Sequence, residues 1–162
     1  MKILNWLFKH KTVVNCDRQP YLTRWYVFRS APVAIFIHRF HRSDEDRALH
    51  DHPWSFITFI LWRGYVEHTD RPCSLCVGGA GYNVFFPARC PFCGGTEIER
   101  SLDRKYPGMI CWRPAEWRHR VELVGGRPAW TLVVRFRERR IWGFWERTGF
   151  IAWNKWWQNN CE

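Results

Sequence analysis

Two histidines one residue apart, His50 and His52, sit in the stretch His50-Asp51-His52-Pro53-Trp54. In an extended strand, residues i and i+2 project to the same side. The pair can therefore bring two imidazoles to one point, which is how many transition-metal sites begin. Taken alone, His-x-His is equally compatible with two surface histidines beside a turn. A second stretch, Gly108 to His119, adds weight because it offers a third imidazole at His119.

Four of the seven cysteines fall into two Cys-x-x-Cys pairs, Cys73/Cys76 and Cys90/Cys93, with thirteen residues between the pairs. A Cys-x-x-Cys turn holds two thiolates at the spacing one ion needs, and Gly94-Gly95 after the second pair permits the tight turn that closes such a knuckle. The expectation is a structural zinc with four thiolate ligands in an insert spanning 70–98. That segment has too few long aliphatics to offset its own ordering entropy without a metal. The competing use of such pairs, a redox dithiol, normally takes one pair opening a helix. Cys111 reads as a core residue, while Cys16 and Cys161 have no assigned place. The cysteine pattern suits a reducing, cytoplasmic setting better than a disulfide framework.

The elements that must position these groups read as short strands. At 162 residues the chain has the length of one domain, 1–162. Hydrophobic residues make up 46% and aromatics 18%, which excludes a disordered chain. Segments 21–28, 33–40, 56–62, 110–113, 119–123 and 129–136 are rich in strand formers and separated by Pro, Gly and charged turns. On the last of these, Thr131, Val133 and Arg135 share one face and Trp130, Leu132 and Val134 the other. His38 on the second strand could face the same cavity as the pair. Arg63-Gly64 marks a hairpin turn. No long segment holds a 3.6-residue period, so the class is all-β, with short helices or arms only at the termini. No run of 18 apolar residues occurs, and the N-terminal Met1 to Phe8 is broken by Asn5 and lacks a cleavage site, so neither a membrane span nor a signal peptide is expected.

The spacings carry a resemblance. His50-x-His52, four residues, Ile57, six residues, Gly64 has the spacing of the first cupin motif; Gly108, five residues, Pro114-x-Glu116, two residues, His119 has that of the second. The chain thus resembles a single-domain cupin, and its 47–54 and 142–144 segments are similar to small uncharacterised cupins of phage and bacterial genomes. The 73–93 stretch resembles a zinc ribbon. The resemblance implies a jelly-roll barrel with one divalent metal at its mouth on His50, His52 and His119, iron(II) first, with zinc or nickel as alternatives. This sequence departs from the family at Ile57, where the first motif has a glutamate ligand, and at Glu116, where the second usually has glycine. Glu67 or His68 on the return strand could replace the lost ligand, although three neutral histidines without one is the expected state. Imidazole ligands usually donate their second nitrogen to a carboxylate or carbonyl, and Asp51, Asp46 and Glu116 are the acids near in sequence.

The net charge of +10 favours anionic partners. Two function classes follow. One is an enzyme, an iron(II) oxygenase or isomerase-type cupin on a small anionic or nucleotide-like substrate, with Arg47, Arg135 and a tryptophan-rich wall positioning it. The other is a non-catalytic module that captures a ligand, nucleic acid or protein with its cup and basic surface. A homodimer is compatible with either; a membrane partner is not expected.

Overall fold

A computed structural model describes residues 9–30, 32–44, 48–72, 98–146 and 149–161. Twelve strands and one helix follow in order: β1 (His10–Val14), β2 (Pro20–Arg29), β3 (Ala34–Phe40), β4 (Leu49–His50), β5 (Trp54–Trp62), β6 (Tyr65–Pro72), β7 (Ile98–Lys105), β8 (Ile110–Arg113), β9 (His119–Leu123), β10 (Ala129–Glu138), β11 (Gly143–Glu146), β12 (Gly149–Ala152) and α1 (Trp153–Cys161). They form two six-stranded antiparallel sheets, one ordered β1-β2-β3-β10-β5-β8 and the other β12-β11-β4-β9-β6-β7. The strands expected from the sequence are present, and the class is all-β.

Alternation sets what each sheet turns inward. On the first sheet Leu22, Arg24, Phe36, His38, Phe56, Thr58, Thr131 and Val133 line the space between the sheets. One end of that space is filled by Ile60, Tyr65, Val121, Leu123 and Ala129, with Phe40 packed against them. This plug leaves the other end hollow, as a cavity of about 300 Å³. The β5–β6 turn closes the plugged end. Arg63 and Gly64 both have positive φ, 63° and 76°, and a Cβ on Gly64 would overlap the Lys105 carbonyl. Only glycine fits there, because both the dihedral and the close approach exclude a side chain.

Strands β6 and β7 pair from Tyr65↔Lys105 to Pro72↔Ile98. The two ends of the 73–97 connection are therefore held side by side. Cys73, Cys76, Cys90 and Cys93 lie outside the described residues, as do Asp46 and Arg47.

The sequence reading did not place strands β1 and β7 or the β11–β12 hairpin, and it expected short terminal helices or arms without locating α1. Strand β1 sits in the lead-in that shows no pattern, since as an edge strand it is mostly exposed. The β11–β12 hairpin and helix α1 occupy the tryptophan-rich tail. Asp51, wholly buried, fastens that tail: it accepts hydrogen bonds from the Gly143 amide at 2.9 Å, Trp145 Nε1 at 2.9 Å and Arg140 Nη1 at 2.6 Å. Cys16 and Cys161, left without a place by the sequence, are joined as a disulfide that ties the β1–β2 turn to the end of α1. Cys111 is buried and free, as expected. No helix among the described residues is long and apolar enough to cross a membrane.

Candidate metal centre

His50 ends β4 and His119 begins β9, and the two are direct cross-strand partners. His52 follows two residues after His50, where the chain leaves one sheet for the other; its amide donates to the Ala115 carbonyl at 3.1 Å. The intervening Asp51 points the opposite way, toward Gly143 and Arg140. The strand alternation thus puts His50 and His52 on the cavity side. Their ring centroids lie 5.1 Å apart, with His119 at 4.9 Å from His50 and 5.0 Å from His52. The Nε2 atoms of His52 and His119 are 2.7 Å apart. One ligand atom from each of the three rings falls within 4.8 Å of the others. No carboxylate joins this set among the described residues.

Glu67 is 1% exposed, yet it is not a ligand. Its Oε1 accepts a hydrogen bond from His119 Nδ1 at 2.7 Å, and Arg113 grips it through Nε at 2.9 Å and through a short Nη2–Oε2 contact. Trp117 Nε1 donates to it at 3.3 Å, and Lys105 Nζ lies 3.5 Å from Oε2. Burial alone would raise the Glu67 carboxyl, but the bonds from His119 and Arg113 prevail and hold it well below the usual carboxylate range. An ionised Glu67 can only accept, so the proton of His119 stays on Nδ1 and the Nε2 lone pair faces the cavity. Asp44 plays a weaker version of this part behind His50, with Oδ2 3.7 Å from Nδ1. It is fixed by the Val121 amide at 2.6 Å and by a short bond from the Tyr21 hydroxyl.

Burial also pushes the other two imidazoles toward the uncharged form. Desolvation takes His50 down to about 4, against the opposing pull of Asp44. His52 is driven well below its ordinary value by burial and then by the neighbouring His119 and His50. Three imidazole nitrogens converging in a sheet-supported cavity fit a divalent first-row ion, whose bonds to nitrogen are about 2.1 Å long. Small ring movements suffice to bring the donors to that spacing.

Of the acids that sequence proximity suggested behind the histidines, Asp51 and Glu116 are placed elsewhere, and Asp46 lies outside the described residues. Asp51 bonds the C-terminal hairpin and Glu116 is exposed; the carboxylates at the imidazoles are Glu67 and Asp44. The available signal was strand phase, since Glu67 shares its face of β6 with Tyr65 and Thr69, all buried. His68 faces the other side and bonds Glu122 Oε2 at 2.7 Å. Thr131 and Val133 line the cavity. Arg135 is not among the lining residues: it still pairs with Phe56, the β10–β5 register slips only beyond it, and its guanidinium lies 5.2 Å from the Trp54 ring centroid. The cation that does line the cavity is Arg24. Tryptophans do form a wall: Trp54 and Trp142 border the main cavity, and Trp142, Trp153, Trp156 and Trp157 border an adjoining one of about 180 Å³.

No protein-family model matches the sequence, and no curated protein matches it. Solved structures do match in shape. An Fe(II)-HppE with alternative substrate (S)-1-HPP superposes with a TM-score of 0.52 at 12% identity, covering 79% of this chain and 55% of that one. The fold is the cupin barrel. A Streptomyces albus HEPD with substrate 2-hydroxyethylphosphonate and Fe(II) bound gives 0.51 at 12% identity, over 80% of this chain and 24% of that one. A cupin domain from Bordetella pertussis gives 0.46 at 12% identity, over 74% of this chain and 97% of that one. The chain spans about half the length of the HppE structures it matches. At such identities the likeness establishes architecture and nothing finer.

Proposed function

We propose that this protein is a mononuclear metal-dependent enzyme of the iron(II) oxygenase type, acting on a small anionic substrate. The observation that carries the reading is the convergence of His50, His52 and His119, with His119 oriented by a buried, ionised Glu67. Two cupin-fold proteins of similar shape bind Fe(II), and one of them is described with a phosphonate substrate. Held on three imidazoles, a divalent iron would supply Lewis-acid and redox chemistry and leave coordination positions for substrate and dioxygen. The chain's own residues keep the ligand nitrogens unprotonated, fix their direction and exclude water. The aromatic and aliphatic walls (Phe36, Phe40, Phe56, Tyr65, Val133) leave little polar surface to hold solvent.

We also assign a separate structural zinc to Cys73, Cys76, Cys90 and Cys93, on their spacing and on the paired strand ends that bracket the segment. Nucleotides are a second substrate class in keeping with the net charge of +10. Most of the 135–140 basic run is engaged internally, however: Arg139 donates to Ser55 Oγ at 2.7 Å and Arg140 to Asp51 at 2.6 Å.

The test is metal analysis of protein purified without added metal, followed by anaerobic Fe(II) loading and nitric oxide binding read by electron paramagnetic resonance. One iron per chain in the histidine site, with a high-spin iron–nitrosyl signal, supports the oxygenase. Zinc in that site, or no metal uptake, overturns it in favour of isomerase-type chemistry or ligand capture.

A further inference from the structure

Opposite the histidines, the inner face of the first sheet carries a row of three polar side chains on three adjacent strands. Arg24 on β2 is the direct register partner of His38 on β3, and His38 is the direct partner of Thr131 on β10. All three line the main cavity, and among the described residues the other side chains that the first sheet brings to it are apolar or aromatic except Thr58 and Tyr21, whose hydroxyl is bonded to Asp44.

The hydrogen bonding in this row is lopsided. Arg24 Nε donates to His38 Nε2 at 2.9 Å, so that nitrogen is the acceptor and the proton of the neutral ring is on Nδ1. His38 is kept neutral by its burial and by the Arg24 charge. The Thr131 hydroxyl is wholly buried and has no hydrogen-bond partner. A buried hydroxyl without a partner is uncommon, because leaving it unpaired costs the desolvation of the group. Among the described residues, no carboxylate lines this cavity to answer Arg24. The row therefore offers a guanidinium and a free hydroxyl, with nothing negative to receive them. Arg24 lines the same cavity as His50, His52 and His119 but stands on the other sheet from β4 and β9.

We infer that Arg24, supported by His38 and joined by Thr131, is an oxyanion subsite that fixes the carboxylate or phosphonate end of the substrate opposite His50, His52 and His119. The substrate class is then a small organic anion with an apolar body, short enough for a cavity of about 300 Å³. The anion lies against Arg24 and Thr131, the body against Phe36, Phe40 and Val133, and the remaining functional group reaches the histidines. A guanidinium suits carboxylate and phosphonate equally, since both present paired oxygens to its fork. His38 is a positioning residue: it holds Arg24 Nε at 2.9 Å, while the guanidinium lies over the cavity-lining Phe36 ring, 4.8 Å from its centroid, and also bonds Tyr26. This inference rests on the cup being a ligand site but not on which metal it holds.

The experiment uses the full chain and three probes of similar size, benzoate, phenylphosphonate and neutral benzyl alcohol, followed by calorimetry. The wild type is expected to bind one or both anions at least tenfold more tightly than the alcohol, and which anion is preferred identifies the head group. Arg24→Met should reduce anion affinity tenfold or more, as expected for loss of a charge-assisted bond, with alcohol binding and metal stoichiometry unchanged. Thr131→Val, which keeps the side-chain shape, should weaken the anions about threefold to tenfold and gives an independent reading if Arg24→Met does not fold. His52→Ala should lose metal yet still prefer anions over the alcohol, which separates failure of this subsite from failure of the metal assignment. Equal binding of anions and alcohol by the wild type, or undiminished anion affinity in both Arg24→Met and Thr131→Val, overturns the inference.

Discussion

Glu67 Oε1 and His119 Nδ1 are hydrogen-bonded at 2.7 Å across adjacent strands β6 and β9, although they are not register partners. Thr69 is the residue opposite His119, and Glu67 pairs with Val121. The bond is a diagonal one on a shared face, a distance that a glutamate can span. Where the cupin motif has a glutamate ligand, this chain has Ile57, and its buried glutamate lies behind a histidine, bonded to Nδ1 of His119. The negative charge is retained near the site without occupying a coordination position.

Glu67→Gln should therefore weaken metal binding by about 10–100-fold, the usual range for losing a carboxylate behind a ligating histidine. It also leaves Arg113 and Lys105 without their buried counter-charge, so the unfolding free energy should drop by roughly 3–5 kcal/mol. A competitive chelator titration and a denaturant melt measure the two effects separately. Unaltered metal affinity would show that Glu67 serves only the Arg113 ion pair.

His52→Ala should release the metal from an otherwise folded protein. The imidazole lies in a preformed cavity, and its removal costs the contact with His119 Nε2 but leaves the backbone bond to Ala115 in place, so the cost to stability should be about 1 kcal/mol. Full metal stoichiometry in a folded His52→Ala protein would remove His52 from the ligand set.

The parts of the structure that were legible in the sequence are those whose side chains are constrained on one face. Segments 33–40, 56–62 and 129–136 each turn a buried set inward, and each is a strand. The histidines are legible because their spacing is dictated by strand geometry and by the turn at Gly64. Strand β1 was not, since only Val13 of its five residues is even partly buried; β4 has two residues, too few for a pattern. Helix α1 buries a single side chain, Trp156, and so shows no helical stripe. Arg24 was hidden among strand formers, though it occupies the inward phase shared with Leu22. Arg135 continues the phase of Thr131 and Val133 and pairs with Phe56, but its guanidinium lies over the Trp54 ring and it does not line the cavity.

The pH dependence of stability should follow the buried histidines. Burial, reinforced by Arg24, holds His38 well below its ordinary 6.5 in the folded protein, whereas in the unfolded chain it titrates near that value. Below 6.5 the unfolded state binds more protons, so stability is complete above that pH and declines as pH falls. His50, lowered to about 4, acts with the same sign. Between pH 6.5 and 5, each histidine that stays neutral in the fold adds about 2 kcal/mol to this loss. Glu67 titrates far below the window and does not contribute. Melting temperatures of metal-free protein from pH 7 to 5 should fall, and less steeply in His38→Gln. A slope unchanged by that substitution would place the linkage elsewhere.

The Cys16–Cys161 disulfide closes a loop with a sequence separation of 145. Loop-closure entropy alone assigns about 5 kcal/mol to a cross-link of this span, and measured values run to roughly 2–5 kcal/mol. Cys161→Ser should lower the denaturation midpoint accordingly, and reductant should have no further effect on that variant through this bond. Freed from the tether, α1 should also become more accessible, read as increased acrylamide quenching of Trp153, Trp156 and Trp157. Two alkylatable thiols at Cys16 and Cys161 in unreduced protein would refute the bond.

The remaining four paired cysteines give the last prediction. Because β6 and β7 bring the ends of the 73–97 connection together, its ordering need not disturb the barrel. A tetrahedral thiolate site supplies on the order of 10 kcal/mol of folding free energy at neutral pH, enough to order about twenty-five residues that lack an apolar core. Cys90→Ser should then lose one equivalent of zinc and leave metal binding at the histidines untouched. Limited proteolysis should cut the variant between residues 73 and 97 while both flanking fragments stay associated, since their strands pair outside the connection. The two metals should also separate chemically: a thiol-reactive mercurial should release the zinc alone, and His52→Ala the other metal alone. Unchanged zinc content in Cys90→Ser, or a Cys73–Cys76 or Cys90–Cys93 disulfide in unreduced protein, would show these pairs to be redox dithiols and not ligands.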